Sequence, residues 1–377
     1  MILRNLNVEN FRNFSSKKYN FCDSINVVYG LNGFGKSNLL EAISVVCLSK
    51  SFRTRNDANL IQFQKDNFRL TANIYLDSGI EKNIQIYYDT KLGKQIRIDH
   101  SKIESLSELI GSFPIVILTP EDDSITSGPP FERRRFINFV LSQLDKNYFK
   151  LLQEYVRILK QRNKILQDAK KSRYKFLDKI EPWDEELFHK SKAISLKRKE
   201  FLKDLELYAI PIHKEITSYV ENFSISYKPN FDLDLNDYQD FKEVLEKNRN
   251  LEIIRGSTII GPHLDEITFF IDEHEVRKYA SRGQHRCCLL SLKIAEFKIL
   301  RDKKLENPIF LLDDVYSEID EIREKAVTEY FLELKQIFLS THQSDISIEL
   351  KPIYNKKIEY INIQSESFED KVLEQNN

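Results

Sequence analysis

Gly30, Leu31, Asn32, Gly33, Phe34, Gly35, Lys36 and Ser37 fill every place of the pattern G-x-x-x-x-G-K-[ST]. Glycines let successive backbone N–H groups turn toward phosphate oxygens, the lysine adds a point charge, and the adjoining hydroxyl suits Mg²⁺. The chemistry is that of a nucleoside-triphosphate site. Far downstream, Asp313 and Asp314 adjoin at the end of an apolar run. Opposite a phosphate loop, one such acid orients Mg²⁺ and its waters while the next orients an attacking water; taken alone, the pair reads as solvated acids capping a buried strand. Between them, Ser281-Arg282-Gly283-Gln284-His285-Arg286 opens an apolar helix. Its serine is either a helix cap or, with the glycine N–H and the helix N-terminus, a seat for the γ-phosphate of a nucleotide held by another subunit. His342 ends a further apolar run and is either structural or a γ-phosphate sensor.

These groups need elements to hold them. The run Ile25 to Tyr29 predicts a strand entering the phosphate loop, and Asn38 to Ile43 predicts a helix leaving it. Pro308 to Leu312 and Ile337 to Thr341 predict buried strands, as do Asn83 to Tyr88 and Pro114 to Leu118. After Pro129-Pro130 the texture becomes helical: Leu151, Leu152, Tyr155, Ile158, Leu159, Ile165 and Leu166 step by threes and fours, and Leu187, Ile194, Phe201 and Leu205 form a second stripe that Pro211 should end or kink. The chain therefore reads as α/β at both ends with a helical middle. No repeat is present, and the heptad-like stretches are too short for a long coiled coil.

With 377 residues, 41% hydrophobic and 31% charged, the chain has room for a phosphate-loop domain carrying a large insertion. No apolar stretch is long enough to span a bilayer, and the N-terminus alternates like a strand rather than a secretion signal, so a cytoplasmic protein with no membrane partner is expected. Cys22, Cys47, Cys287 and Cys288 lack metal-ligand spacing and read as packed, reduced thiols. A formal charge of −1 gives no global attraction for nucleic acid, so DNA binding requires a local basic cluster. Lys50, Arg53 and Arg55 form one. Lys190, Lys192, Lys197, Arg198, Lys199 and Lys203 form another, but with Glu200, Asp204 and Glu206 interspersed it reads rather as a solvated helix face, so the first cluster is the better candidate.

Several stretches together resemble the ABC-type ATPase heads of DNA-maintenance proteins, and most closely the RecF family. They are Val8-Glu9-Asn10-Phe11-Arg12-Asn13-Phe14, the phosphate loop, Lys50-Ser51-Phe52-Arg53-Thr54, Thr119-Pro120-Glu121-Asp122, Arg133-Arg134-Arg135-Phe136, Gln161-Arg162-Asn163, Gly261-Pro262-His263-Leu264-Asp265, SRGQHR and LLDDVYSEID. The resemblance implies an α/β ATPase head with an inserted, largely helical second lobe and no long coiled coil. One lobe would comprise residues 1–125 and 296–377, the other 126–295. Gly30 to Ser37 would hold ATP, with Ser37 and Asp313 on Mg²⁺. Asp314 would replace the usual catalytic glutamate, one methylene short, making hydrolysis slow. Ser281, Gly283 and Gln284 would close over the partner subunit's ATP in an ATP-dependent homodimer, Asp320 would be the D-loop acid, His342 the switch histidine, and Arg53 the link between nucleotide and DNA. Arg282 departs from the first glycine of the transporter-type signature. The glutamine of the Q-loop is Gln62, Gln64 or Gln95. The same resemblance implies binding to single-stranded and gapped DNA, nucleoid association, DNA-stimulated ATPase, and action with RecO and RecR in loading RecA during recombinational repair and replication restart. The alternatives are a transporter-type ATPase subunit, against which the charged insertion argues, and a nucleotide-binding head with little hydrolysis.

Overall fold

The computed structural model describes residues 1–171, 179–235, 237–314, 329–341 and 357–363. Along the chain, β1 (Ile2–Phe11) and β2 (Phe14–Asn20) make a hairpin, and β3 (Ile25–Tyr29) leads through the phosphate loop into α1 (Lys36–Leu48). Four strands follow, β4 (Asn67–Tyr75), β5 (Glu81–Asp89), β6 (Gly93–Ile98) and β7 (Ser101–Lys102). After β8 (Ile115–Leu118) come α2 (Asp123–Ser127), α3 (Pro130–Leu144), α4 (Lys146–Lys171) and α5 (Glu181–Ile216). The next elements are β9 (Phe223–Lys228), α6 (Tyr238–Arg255), β10 (Glu266–Ile271), β11 (His274–Glu275) and α7 (Val276–Tyr279). The described chain closes with α8 (Arg282–Lys304), β12 (Ile309–Asp313), β13 (Gln336–Thr341) and β14 (Ile358–Asn362).

These elements form two compact units, one of residues 1–123, 212–220 and 286–377 and the other of residues 124–211 and 221–285. Among the described residues, the first unit holds two sheets. One is five-stranded in the order β14-β3-β13-β12-β8, with every pairing parallel. Parallel strands are covered on both faces, which is why Ile25–Tyr29, Ile115–Leu118 and Ile309–Asp313 are near-continuous apolar runs. The second sheet is antiparallel, in the order β2-β1-β4-β5-β6-β7. Helix α1 touches strands of both sheets and is accordingly buried almost all round, from Leu39 to Leu48. A bulge in β1 between Leu3 and Asn5 lets Leu3 turn its N–H and carbonyl to the buried side chain of Gln336 on β13, at 2.8 and 2.9 Å.

In the second unit, α3 packs on α4 and β10, α4 packs on α6, and β9, β10 and β11 form a small antiparallel sheet. Its interior is held by buried charge as well as by apolar stripes. Arg162 is fully buried and bonds Asp184 at 2.7 Å, both oxygens of Glu252 at 2.8 and 2.6 Å, and Thr258 at 2.7 Å. Helix α5 does not end at Pro211 but continues to Ile216, the two units dividing between Pro211 and Ile212. No helix among the described residues is long and apolar enough to cross a membrane.

Candidate nucleotide site

Because β3, β13, β12 and β8 are parallel neighbours, their C-terminal ends share one edge of the sheet. Ligands of open α/β sheets gather at that edge. The phosphate loop leaves β3 there, and Asp313 and Asp314 lie at the end of β12. Gly30, Gly33 and Gly35 have φ of 149°, 85° and 109°, which only glycine adopts freely. A Cβ on Gly35 would also stand 2.6 Å from the Asn13 amide, whose Nδ2 donates to the Phe34 carbonyl at 2.7 Å. The turn between β1 and β2 thus braces the loop from outside.

Ser37 and Asp313, 276 positions apart, meet at 2.9 Å, with the Ser37 hydroxyl donating to Oδ1. Ser340 on β13 donates to the same oxygen at 2.6 Å and accepts the Asp314 N–H at 2.9 Å. Burial pushes the Asp313 carboxyl above its ordinary value; the bonds from Ser340 and Ser37 and the charge of Arg53 oppose the shift. Lys36 is buried rather than solvent-facing: its Nζ donates to the carbonyls of Gly30 and Leu31 at 2.7 and 3.2 Å and to Asn32 Oδ1 at 3.2 Å. Burial draws its pKa down, against the pull of Asp314 and Asp313. The oxygens of Ser37 and Asp313 make a hard donor pair suited to Mg²⁺.

Arg53, exposed on the loop after α1, donates to Asn38 Oδ1 at 2.9 Å, and Asn38 Nδ2 donates to Asn13 Oδ1 at 2.8 Å. In the second unit, Ser281 caps α8 reciprocally: its Oγ accepts the Gln284 N–H at 3.2 Å and Gln284 Oε1 accepts the Ser281 N–H at 2.9 Å. Gln284 Nε2 also donates to Glu221 at 3.2 Å. The capping alternative is therefore realised in the single chain. It keeps Ser281 and Gly283 at the first turn of a 23-residue helix. Asp320 and His342 lie outside the described residues.

Two sequence expectations change. Arg198 is neither a DNA contact nor part of a solvated face: it is 2% exposed, bonds Asp265 at 2.6 Å and donates to the Pro262 carbonyl and Asn138. Its spacing after Ile194 and before Phe201 and Leu205 puts it on the buried stripe of α5, a signal the charge run hid. Its neighbours Lys190 and Lys197 pair with Glu154 and Asp145 at 2.7 and 3.2 Å. Gln62 and Gln64 follow the short helix Asp57–Leu60, and Gln95 lies on β6 of the antiparallel sheet. None of the three is on the parallel sheet, and β8, the neighbour of β12, runs instead into Thr119-Pro120-Glu121-Asp122. In the stretches Gln161-Arg162-Asn163 and Gly261 to Asp265, Arg162, Gly261, Pro262 and Asp265 are buried, while Gln161 and Leu264 are exposed; Asn163 accepts from the Thr258 N–H and hydroxyl, and His263 meets the Tyr155 hydroxyl at 2.6 Å.

Residues 2–360 match the family model described as the RecF/RecN/SMC N terminal domain. A DNA replication and repair protein RecF from Chloroherpeton thalassium is 35% identical over 359 residues, 93% of this chain and 97% of that protein. A solved structure of the recombination mediator protein RecF-ATP in the RecFOR pathway superposes with a TM-score of 0.83 at 33% identity, over 90% of this chain and 92% of that one. The same mediator described as RecF-ATPrS gives 0.84 at 32% identity, over 91% and 92%.

Proposed function

Because the chain belongs to the RecF family of DNA replication and repair proteins, we propose that it is an ATP-driven DNA clamp of recombinational repair whose slow hydrolysis resets it. The observation that carries this is the direct bond between Ser37 and Asp313, which unites the phosphate loop with the acid of β12. ATP lies along the loop from Gly30 to Ser37, and its β- and γ-phosphates replace the Gly30, Leu31 and Asn32 oxygens around Lys36 Nζ. Mg²⁺ held by Ser37 and Asp313 would neutralise phosphate charge as the γ-phosphoryl group leaves. Asp314, one residue beyond, orients the attacking water. Ser281, Gly283 and Gln284 act in trans: two copies pair with ATP sandwiched between the phosphate loop of one and the capped α8 terminus of the other, Asp320 and His342 completing the seat. Arg53 passes the nucleotide state to DNA. The unit of residues 1–123, 212–220 and 286–377 serves as the ATPase lobe, and that of residues 124–211 and 221–285, rather than the whole of 126–295, as the lobe presenting the signature.

Single-stranded gaps in duplex DNA are the site of action, with RecO and RecR as partners and loading of RecA as the outcome, in the cytoplasm at the nucleoid. The test is ATP turnover with and without gapped DNA, alongside calorimetric ATP binding by Lys36→Ala. Weak basal turnover that gapped DNA raises, and loss of ATP binding by the variant with its circular dichroism unchanged, are expected. Ordinary ATP affinity in the variant would remove Lys36 from the site, and turnover indifferent to DNA would reduce the protein to a nucleotide-binding head.

A further inference from the structure

Midway along α1, Glu41 is a fully buried carboxylate on which separate segments of the chain converge. Arg12 grips it with two bonds, Nε to Oε2 at 2.8 Å and Nη2 to Oε1 at 2.7 Å. Such a fork is the strong form of an ion pair, and a buried acid held by one still calls for donors to its remaining lone pairs. Ser51 also donates to Oε1, at 2.5 Å, and Arg53 Nη1 stands 3.9 Å from Oε2. Ser51 Oγ in turn accepts the N–H groups of Arg53 and Thr54, each at 2.9 Å. The Ser51 hydroxyl thus both completes the satisfaction of the buried acid and, through the two N–H groups it accepts, sets the backbone on which Arg53 rides.

The other end of the arrangement is also fixed. Arg12 has φ of 55°, a left-handed conformation seldom found for a bulky side chain, and is tied through its N–H to the Leu60 carbonyl at 2.7 Å and through Nη1 to the Asn59 carbonyl at 2.7 Å. Beside it, Asn13 reaches the Phe34 carbonyl of the phosphate loop and, through Asn38, the guanidinium of Arg53. The bonds thus close a ring from Glu41 through Arg12, Asn13, Asn38 and Arg53 to Ser51 and back.

We propose that Glu41 is a positioning residue for Arg53: through Ser51 it sets the loop that follows α1, so that the exposed guanidinium is held over Asn38 at the start of the phosphate-loop helix. Glu41 touches no phosphate and acts on the reaction only through Arg53. The inference rests on the proposed role of Arg53 between nucleotide and DNA.

Ser51→Ala cuts the tether while leaving the Arg12–Glu41 fork intact, and Glu41→Gln weakens both. In the full-length protein, gapped-DNA-stimulated over basal ATPase is compared among Ser51→Ala, Glu41→Gln, Arg53→Ala and the Ser51/Arg53 double alanine variant. Tryptic cleavage after Arg53 and Arg55 reports the loop directly. The stimulation ratio should fall about fivefold in Ser51→Ala, the weight of one hydrogen bond, with a matching rise in cleavage and no further fall on adding the change to Arg53→Ala. A merely structural role would lower basal and stimulated rates together and leave the ratio unchanged, which would overturn the proposal. A normal ratio in Ser51→Ala and Glu41→Gln beside a reduced one in Arg53→Ala would overturn it alone; a normal ratio in Arg53→Ala would overturn the role of Arg53 with it.

Discussion

Glu296 lies in the buried stretch of α8, and neither of its carboxylate oxygens has a hydrogen-bond partner among the described residues. The nearest cation, Lys293 Nζ, is 3.6 Å away and is shared with Asp122, which stands at 3.4 Å and is the more exposed of the two acids. One ammonium between two carboxylates keeps its own charge and satisfies the better solvated acid, so burial pushes the Glu296 carboxyl up to about 7 from its ordinary 4.5. Below pH 4.5 the side chain is protonated in both folded and unfolded chains and stability does not respond to it. Between 4.5 and about 7 the folded protein keeps a proton that the unfolded chain has lost, so stability falls as pH rises, and above that window the full penalty applies. At 1.36 kcal/mol per pKa unit the penalty is roughly 3 kcal/mol. Glu296→Gln keeps the shape and cannot ionise. Urea unfolding of both proteins, followed by circular dichroism at pH 5 and pH 8, should show the variant gaining up to ~3 kcal/mol relative to the parent across that interval. Any fixed cost of the buried amide cancels in the comparison. A stability difference that stays flat with pH would refute the protonated carboxyl.

The proposed trans role of α8 and the proposed water-orienting role of Asp314 are separable in solution: Ser281→Arg should bind ATP as a monomer, with ~1 kcal/mol lost from the cap, but fail to dimerise, whereas Asp314→Asn should accumulate ATP-bound dimers as turnover falls ~10²-fold. Sedimentation with ATP reads both. Arg198→Ala should destabilise the second unit by ~3–5 kcal/mol, because the buried Asp265 loses its closest cation; fluorescence of Trp183, the chain's single tryptophan and within that unit, follows the melt. A mild loss would mean that Arg198 is not carrying the buried charge of Asp265.

The residues that touch their neighbours in sequence were the legible ones. Ile25–Tyr29 and Lys36–Leu48 flank the loop as strand and helix because apolar runs and glycine placement are local signals, and the same holds for Ile309–Asp313 and Gln336–Thr341. What spacing could not convey was which strand lies beside which. The meeting of Ser37 with Asp313 depends on β13 lying between β3 and β12, a fact of strand order rather than of motif. Charges misled where one helix face mixes both kinds of environment: Arg198 sits among lysines by number but among Ile194, Phe201 and Leu205 by angle. The burial of Lys36 and its bonds to its own loop could not be read from the pattern, since they depend on how the glycines curl the backbone.

The backbone at Asp314 bears on tempo. Its φ of 53° places a residue that follows a buried strand in the left-handed region, where aspartate and asparagine settle far more readily than longer side chains. With the N–H fixed to Ser340, that conformation is built into the end of β12. The short acid is therefore the one the main chain accommodates, and a glutamate would bring the extra reach together with strain of ~1–2 kcal/mol. If the proposed clamp's lifetime on DNA is set by hydrolysis at Asp314, its clock rate is written into a backbone dihedral, and lengthening one side chain would not reset it without first reshaping the turn.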